Sequence, residues 1–196
     1  FMANVACWYQ TQLPTKMIDI LIDDIEHLKP EDFFIKSKVI GVDDQSDGSL
    51  KENIRKSKHA WIPSAHWIGG FLWHYVDRIN QENFLYNISG YDENSIQYTQ
   101  YTKDNYYKWH NDQDIADIAI SDERVRKLSF TLQLSSGNDY VGGDVEFKSM
   151  DGSSFLAPRN RGCMIVFDSR VPHRVCEITS GTRKSLVGWI VGPRWI

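Results

Sequence analysis

His110 and Asp112 place an imidazole and a carboxylate two positions apart, at the end of a predicted strand. Side chains at alternate positions of a strand lie on the same face, so this pair can hold a metal ion at two points. His173 opens a later predicted strand and is the best third ligand, because a jelly roll brings distant strands together. Two histidines and one carboxylate leave one face of a metal open, which is the arrangement of non-haem Fe(II) oxygenases.

Arg183 follows His173 by ten residues, on the next predicted strand of the same hairpin. A planar guanidinium offers two parallel N–H donors to a carboxylate, so this arginine suits the far end of a short dicarboxylate bound at the metal. Lys184 carries the same charge, but strand alternation sends the two side chains to opposite faces. The sequence therefore predicts that Arg183 points into the core and that its neighbour does not. Asp114, two residues after Asp112, is a competing carboxylate ligand.

The elements that must position these residues change in character along the chain. Residues 1–82 are predicted to be mainly helical support, and residues 83–196 to form a core of strands. Amphipathic helices are predicted over 14–28 and 64–80, with a mobile polar loop over 43–58 between them. The second helix is expected to bury residues that recur every four positions, which are Trp67, Phe71, Tyr75 and Ile79.

The core is predicted to consist of short strands joined by turns rich in Gly, Asn and Asp. This pattern favours an α+β fold with a double-stranded β-helix core, the jelly-roll or cupin-like arrangement, supported by N-terminal helices. A polar gap over 113–123, directly after the His-x-Asp pair, is a candidate lid. The predicted strands are 84–88, 95–102, 106–110, 126–134, 144–148, 154–156, 163–168, 173–178 and 183–191.

Composition narrows the class of protein. The 196 residues are 41% hydrophobic and 24% charged with a formal net charge of −4, which is typical of one globular domain over 1–196. No Lys/Arg-rich run provides the surface that nucleic acid binding requires, and no apolar stretch is long enough to span a membrane. Three cysteines cannot all pair within the chain, so a cytoplasmic location is expected.

From about Ser95 to Trp189 the chain resembles the Fe(II)- and 2-oxoglutarate-dependent oxygenases of the prolyl 4-hydroxylase-like family, in its bacterial and phage-type branch. The resemblance rests on the order and spacing of its motifs. They are Tyr101-x-x-Asp104-x-x-Tyr107-x-x-His110-x-Asp112, Arg126-Lys-Leu-Ser129-x-Thr131-x-Gln-Leu134, Gly142-Gly143-Asp144-x-x-Phe147, and His173 followed by Arg183. The chain departs from the family at Asp104, where a glycine is usual, and it carries Arg183 where collagen-type members have lysine.

The resemblance implies the cofactors and the residues that hold them. Fe(II) would be the metal, 2-oxoglutarate and O₂ the co-substrates, and ascorbate a stimulant. The iron would be bound by His110, Asp112 and His173. The distal carboxylate of 2-oxoglutarate would be bound by Arg183, with the hydroxyls of Tyr101 and Ser129.

The implied reaction couples decarboxylation of 2-oxoglutarate, to succinate and CO₂, with hydroxylation of an unactivated C–H bond. A prolyl residue in a peptide or protein is the substrate that this branch favours, and Tyr107 and Trp189 would line the opening where it enters. Free amino acids and other small molecules are alternatives within the same chemistry. A cupin-like Zn or Mn hydrolase or isomerase could use the same three ligands but would not need Arg183. A non-catalytic jelly-roll binding module would keep only the scaffold.

Overall fold

The computed structural model describes residues 8–28, 35–36, 54–114, 124–149 and 151–195. The helices are α1 (Thr15–His27) and α2 (Trp67–Ile79), the second continued by a π-helical turn at Asn80–Phe84. The strands are β1 (Trp8–Gln12), β2 (Ile35–Lys36), β3 (Arg55–Lys56), β4 (Lys58–Pro63), β5 (Gly90–Tyr91), β6 (Ser95–Tyr101), β7 (Tyr106–His110), β8 (Arg124–Gln133), β9 (Tyr140–Gly142), β10 (Val145–Lys148), β11 (Ser154–Leu156), β12 (Cys163–Asp168), β13 (His173–Val175), β14 (Ile178–Gly181) and β15 (Arg183–Pro193).

Two antiparallel sheets form the core. The larger sheet has the strand order β1-β12-β8-β15-β6-β4-β2, with β5 paired to the far end of β15. The smaller sheet has the order β11-β10-β13-β7-β3, and β14 and β9 form a two-stranded ribbon beside it. This architecture, with α1 and α2 packed on the larger sheet, is the predicted helix-supported double-stranded β-helix.

Two predicted segments lie largely outside the described residues. Of the predicted loop over 43–58, only 54–58 is described. The loop prediction is wrong for these residues, because β3 and the start of β4 lie there. Of the predicted lid over 113–123, only 113–114 is described. The mobile loop and the lid therefore stay predictions.

The first half of the chain contributes strands to the larger sheet as well as helices. β1 pairs with β12, and β4 pairs with β6 along its whole length. The prediction of mainly helical support over 1–82 missed both strands. The sequence of β4 does not alternate between polar and apolar residues, because the strand is buried on both faces, with Ala60 and Ile62 towards the helices and His59 towards the interior.

Helix α2 buries a different stripe from the predicted one. Ile79 is buried as predicted, and Phe71 and Tyr75 are partly buried and pack against the core cluster. Trp67 is 42% exposed, so this predicted core position is wrong. The predicted and the buried stripe are adjacent and share Ile79, and periodicity alone does not distinguish neighbouring stripes that are equally apolar. The indole N–H of Trp67 donates to the Asp24 carboxylate of α1, which holds that ring at the surface. The buried stripe consists of Ile68, Leu72, Val76 and Ile79.

The predicted strand over 84–88 is wrong. The chain leaves the π-helical turn through Leu85, whose φ of 56° is left-handed and whose N–H donates to the Asn80 carbonyl at 2.7 Å. The Asn80 side chain also bonds the N–H and the carbonyl of Tyr86, both at 2.9 Å. The alternating Phe84, Tyr86 and Ile88 pack against the core without pairing in a sheet. The predicted strand over 173–178 is likewise split, into β13 and the start of β14.

The two faces of the larger sheet differ in chemical character. The face towards the helices is apolar, with Phe130 and Leu186 in one cluster with Leu21 and Leu72. The opposite face, towards the smaller sheet, carries buried polar side chains where β6, β8 and β15 run side by side. They are Gln97, Thr99, Ser129, Thr131, Gln133, Arg183 and Ser185. A buried polar surface of this kind needs hydrogen-bonding partners, and it marks this end of the interior as a candidate binding site.

Leu72→Ala is expected to lower the free energy of unfolding by about 2–5 kcal/mol, because it empties a fully buried position in the cluster of helices and larger sheet. His74→Ala, on the exposed side of α2, is expected to change it by less than about 0.5 kcal/mol. Urea unfolding of both variants beside the wild type measures the difference. An equal loss in the two variants would contradict the observed orientation of α2.

Candidate metal centre and adjoining pocket

Two neighbouring strands of the smaller sheet bring the predicted histidines together. β7 ends at His110 and β13 begins at His173, and the two residues are directly opposite each other in the antiparallel register. Asp112 follows β7 by two residues. Its backbone N–H and that of Gln113 both donate to the Ser169 carbonyl at 2.9 Å, which fixes the chain against the turn between β12 and β13. The sheet register and this pair of hydrogen bonds therefore position all three predicted ligands.

The three side chains form a compact set of donor atoms. One ligand atom from each of His110, Asp112 and His173 lies within 4.8 Å of the others. The His110 Nε2 is 3.7 Å from one oxygen of Asp112, and the His173 Nε2 is 3.6 Å from the other oxygen. Two imidazole nitrogens and a carboxylate oxygen converging at this spacing fit a divalent transition metal.

Backbone carbonyls fix the tautomers of both histidines. The His110 Nδ1 lies 2.8 Å from the Lys108 carbonyl, and the His173 Nδ1 lies 3.0 Å from the Val171 carbonyl. A carbonyl only accepts hydrogen bonds, so in each ring Nδ1 carries the proton and Nε2 presents its lone pair. This is the usual support of a metal-binding histidine, and it leaves both Nε2 atoms free to coordinate.

The electrostatics of the centre favour a neutral His110 imidazole and an ionised Asp112 carboxylate. Burial, followed by the proximity of His173, lowers the pKa of His110. Burial alone would raise the pKa of Asp112, but the two imidazoles and a hydrogen bond from Ser129 hold it below its usual range. These are the protonation states that metal ligands require. The residues present therefore fit a bound divalent metal.

A cavity adjoins the three ligands and extends between the sheets. Arg183 lines it, is only 1% exposed, and sits opposite Tyr101 with its guanidinium carbon 5.6 Å from the tyrosine ring centre. Lys184 points the other way and pairs with Glu26 on α1 at 3.2 Å. The sequence predicts that Arg183 points into the interior and that Lys184 does not, and the structure confirms this orientation.

Four side chains that line the cavity carry a buried polar atom without a hydrogen-bond partner. Leaving such an atom unpaired costs about 1–3 kcal/mol, so a group of them facing one cavity indicates a polar ligand. Among the ion pairs between described residues, none neutralises Arg183, and a buried unpaired cation of this kind favours an anionic ligand. The four atoms are Thr131 Oγ1, Arg183 Nε, Ser185 Oγ and Trp189 Nε1.

Ser129 lies at the metal centre, away from the guanidinium of Arg183. Its hydroxyl is 2.9 Å from the Ser169 hydroxyl and hydrogen-bonds the Asp112 carboxylate. Thr131, two positions further along the same strand face, lines the cavity with a free hydroxyl. Thr131 and Ser185 carry free hydroxyls on the cavity wall, and sequence analysis did not select them although strand alternation places them on the same faces as Ser129 and Arg183. The role of Ser129 in binding the co-substrate stays a prediction.

Tyr107 and Trp189, the predicted substrate residues, both line the cavity. The Tyr107 ring stacks on His110 with ring centres 3.5 Å apart and an interplanar angle of 14°. The Trp189 ring contacts Trp61 at 6.1 Å and lies under the Arg126 guanidinium at 4.6 Å. Two aromatic side chains therefore flank the metal centre from different sheets.

Asp104 and Arg55 are two further residues at which the structure can be compared with the sequence analysis. Asp104, which stands where a glycine is usual in the resembled family, has a φ of 63°. Aspartate enters this left-handed region more readily than most residues, so the turn between β6 and β7 tolerates the exchange. Arg55 also lines the cavity and was missed, because it lies in a polar segment predicted as loop.

Comparison with known proteins links this site to one superfamily. Residues 96–191 match the sequence profile of the 2OG-Fe(II) oxygenase superfamily. A PKHD-type hydroxylase of Parvibaculum lavamentivorans is 37% identical over 92 residues, covering 47% of this chain and 39% of the relative. A PKHD-type hydroxylase of Synechococcus sp. strain CC9311 is 43% identical over 63 residues, covering 32% and 28% respectively. The chain spans less than half the length of these curated relatives.

Solved structures agree with the fold. A prolyl-4-hydroxylase of Pseudomonas putida has a TM-score of 0.69 at 23% identity, covering 93% of this chain and 91% of that one. A Trichoplax adhaerens prolyl hydroxylase in complex with a hypoxia inducible factor peptide has a TM-score of 0.75 at 17% identity, covering 95% and 84%. These likenesses confirm the predicted jelly-roll core. In the described part of the chain, neither helix is long and apolar enough to cross a membrane, and the cytoplasmic location stays a prediction.

Proposed function

Residues 96–191 of this chain belong to the 2OG-Fe(II) oxygenase superfamily, and on that premise we propose that the protein is an Fe(II)- and 2-oxoglutarate-dependent dioxygenase acting on a prolyl residue of a peptide or protein. The observation that carries the proposal is the pairing of the His-Asp-His set with a cavity that holds the unneutralised Arg183. A hydrolase or isomerase would use the metal ligands alone. An anion-binding cavity next to them is what a dicarboxylate co-substrate requires.

Fe(II) would be held by His110, Asp112 and His173. The side of the metal ion that faces the cavity would be left to other ligands. Bound iron supplies, with O₂ and 2-oxoglutarate, the oxidising power needed to attack an unactivated C–H bond. The protein contributes the orientation of the two histidines through the Lys108 and Val171 carbonyls. It also keeps Asp112 ionised through the Ser129 hydroxyl.

Arg183 would bind the distal carboxylate of 2-oxoglutarate, next to Tyr101. The free hydroxyls of Thr131 and Ser185 lie on the same cavity wall and can donate to the same co-substrate. Apolar side chains complete the wall and exclude water, which strengthens each charged interaction inside. They are Val145, Phe167, Val175 and Val187.

A prolyl substrate is supported by the aromatic side chains at the cavity and by the names of the similar proteins. Proline has an apolar, rigid ring, so the edge of Tyr107, whose faces contact His110 and Arg55, and the ring of Trp189 can hold it without hydrogen-bond donors and with little ordering cost. The similar structures from Pseudomonas putida and Trichoplax adhaerens are named prolyl hydroxylases. Their substrates suggest a prolyl peptide here.

The proposal is tested with the purified protein, Fe(II), ascorbate, 2-oxoglutarate and a library of proline-containing peptides. Mass spectrometry is expected to show peptides that gain one oxygen atom, with the gain located on proline by fragmentation. Omitting either Fe(II) or 2-oxoglutarate should remove the gain. Consumption of 2-oxoglutarate with hydroxylation of free amino acids but of no peptide would reject the prolyl assignment and keep the oxygenase.

Trp189→Ala is expected to reduce peptide hydroxylation about 10- to 100-fold, because the substrate loses the aromatic wall that aims its C–H bond. Substrate-independent conversion of 2-oxoglutarate to succinate should fall much less, since it depends on the metal ligands and Arg183. Trp67→Ala, which removes an exposed tryptophan of α2, is the matched control and should change neither rate. Parallel loss of both rates in Trp189→Ala would show that Trp189 supports the metal site and not the substrate.

A further inference from the structure

Arg55 is a second buried arginine at the candidate site. It lies on β3, is 6% exposed and lines the same cavity as the metal ligands. Its guanidinium carbon is 4.9 Å from the ring centre of Tyr107, which in turn stacks on His110. One aromatic ring therefore separates this positive charge from a predicted iron ligand.

The charge of Arg55 is not neutralised by any described carboxylate. Its Nε donates to the Ser57 hydroxyl at 2.9 Å and its Nη2 to the Gln97 side-chain carbonyl at 2.6 Å, and both acceptors are neutral. Arg126, by contrast, lies near the same cavity and is paired with Asp92 at 2.6 Å. Buried arginines are normally paired, so an unneutralised one facing a cavity indicates an anionic ligand.

Arg55 and Arg183 serve different ends of the cavity. On the β6–β15 pair, Gln97, which anchors Arg55, is opposite Val187, whereas Arg183 is opposite Tyr101. The two points are four strand positions apart, roughly 13 Å. The Arg55 end is the one that contains Tyr107 and Trp189, the proposed substrate walls. Arg183 and the metal together account for the two carboxylates of 2-oxoglutarate, so an anion at Arg55 belongs to the other substrate.

We propose that Arg55 binds a carboxylate of the primary substrate, close to the carbon that is hydroxylated. This inference rests on the proposed function of the same site. The planar guanidinium, held in place by Ser57 and Gln97, can offer its remaining N–H groups to both oxygens of one carboxylate. The carboxylate has two sources: the side chain of an acidic residue that flanks the target, or the free C-terminus of a terminal target residue.

Matched acid and amide substrates test the proposal in the wild-type protein. One pair is N-acetyl alanyl-prolyl-glutamyl-alanine amide and its glutaminyl counterpart. The other is N-acetyl alanyl-alanyl-proline with a free carboxylate and with a carboxamide. Anaerobic calorimetry with Fe(II) and 2-oxoglutarate present measures binding without turnover. The acid of at least one pair is expected to bind roughly 30-fold more tightly than its amide, and the preferred pair identifies the source of the carboxylate.

Variants assign that discrimination to Arg55. Arg55→Gln should bring the acid and amide of the preferred pair to within about 3-fold of each other and leave the KM for 2-oxoglutarate unchanged. Arg55→Lys keeps the positive charge but loses the planar pair of parallel N–H donors, so it should retain part of the preference for the acid over the amide. Lys56→Gln removes the neighbouring, exposed charge of the same strand and should behave as the wild type. Thermal unfolding of each variant checks that it is folded.

Distinct results would overturn the inference and the proposed function. Equal binding of acid and amide in both pairs, by a protein that consumes 2-oxoglutarate, would reject the role of Arg55 alone. An undiminished preference for the acid over the amide in Arg55→Gln would also reject the role of Arg55 alone. A rise in the KM for 2-oxoglutarate in that variant would assign Arg55 to the co-substrate. A wild-type protein that binds Fe(II) but consumes no 2-oxoglutarate would instead reject the proposed function.

Discussion

Replacing His110, Asp112 or His173 with alanine is expected to abolish stoichiometric Fe(II) binding and to lower 2-oxoglutarate turnover by about a thousandfold or more. Each change removes one of three converging donor atoms that lie within 4.8 Å of one another. The metal supplies several kcal/mol of the catalytic effect, and about 1.4 kcal/mol corresponds to a tenfold rate change. Metal analysis after anaerobic loading and a succinate assay measure the two losses.

Asp114→Ala is the control for the carboxylate. This residue is the competing aspartate of the sequence, two positions after Asp112, and it is exposed and outside the cavity lining. Its replacement should leave Fe(II) binding at the wild-type level. Iron retained by Asp112→Ala and lost by Asp114→Ala would transfer the ligand role to Asp114. Circular dichroism of each variant separates loss of a ligand from loss of the fold.

Arg183→Ala is expected to raise the KM for 2-oxoglutarate about 30-fold to several thousandfold. A charge-assisted, buried pair costs roughly 2–5 kcal/mol when one partner is truncated. Arg183 is 1% exposed and unneutralised by any described carboxylate, so its interaction with the co-substrate is not screened by water.

Lys184→Ala removes the same charge one residue later and is the matched control. This lysine faces α1 and pairs with Glu26, so its loss should change the KM for 2-oxoglutarate by less than about twofold, as for an exposed ion pair. A larger effect from Lys184 than from Arg183 would mean that the co-substrate lies on the opposite side of the sheet.

The positions of the metal ligands and Arg183 could be predicted because each depends on local strand geometry. β7 spans the predicted 106–110, and β15 begins at the predicted Arg183. Alternation along β15 is enough to separate Arg183 from Lys184. Asp112 lies two residues beyond β7, and the backbone hydrogen bonds of this segment to Ser169 hold it near His110. β7 and β13 are far apart in the chain, and their pairing was inferred from the jelly-roll arrangement and from the family resemblance. Sequence periodicity carries no information about which distant strands pair. Their roles in catalysis stay predictions.

Other parts of the site depend on contacts that leave no local pattern. β3 has two residues and is a strand only because it pairs with β7, so nothing in the polar segment around Arg55 indicates burial. Ser129 and Thr131 share one face of β8, and their distances from the metal centre depend on the tertiary positions of Asp112 and Ser169. Helix α2 has two adjacent apolar stripes, and only packing on the sheet selects one of them.

The dioxygenase assignment is tested most directly by the fate of heavy-isotope O₂. The wild-type protein, loaded with Fe(II) and given 2-oxoglutarate, is expected to form succinate that contains one labelled oxygen atom, with the other atom in the hydroxyl group of any product. His173→Ala should form none. Succinate without label, or labelled succinate formed equally by His173→Ala, would contradict an oxygenase centred on His110, Asp112 and His173.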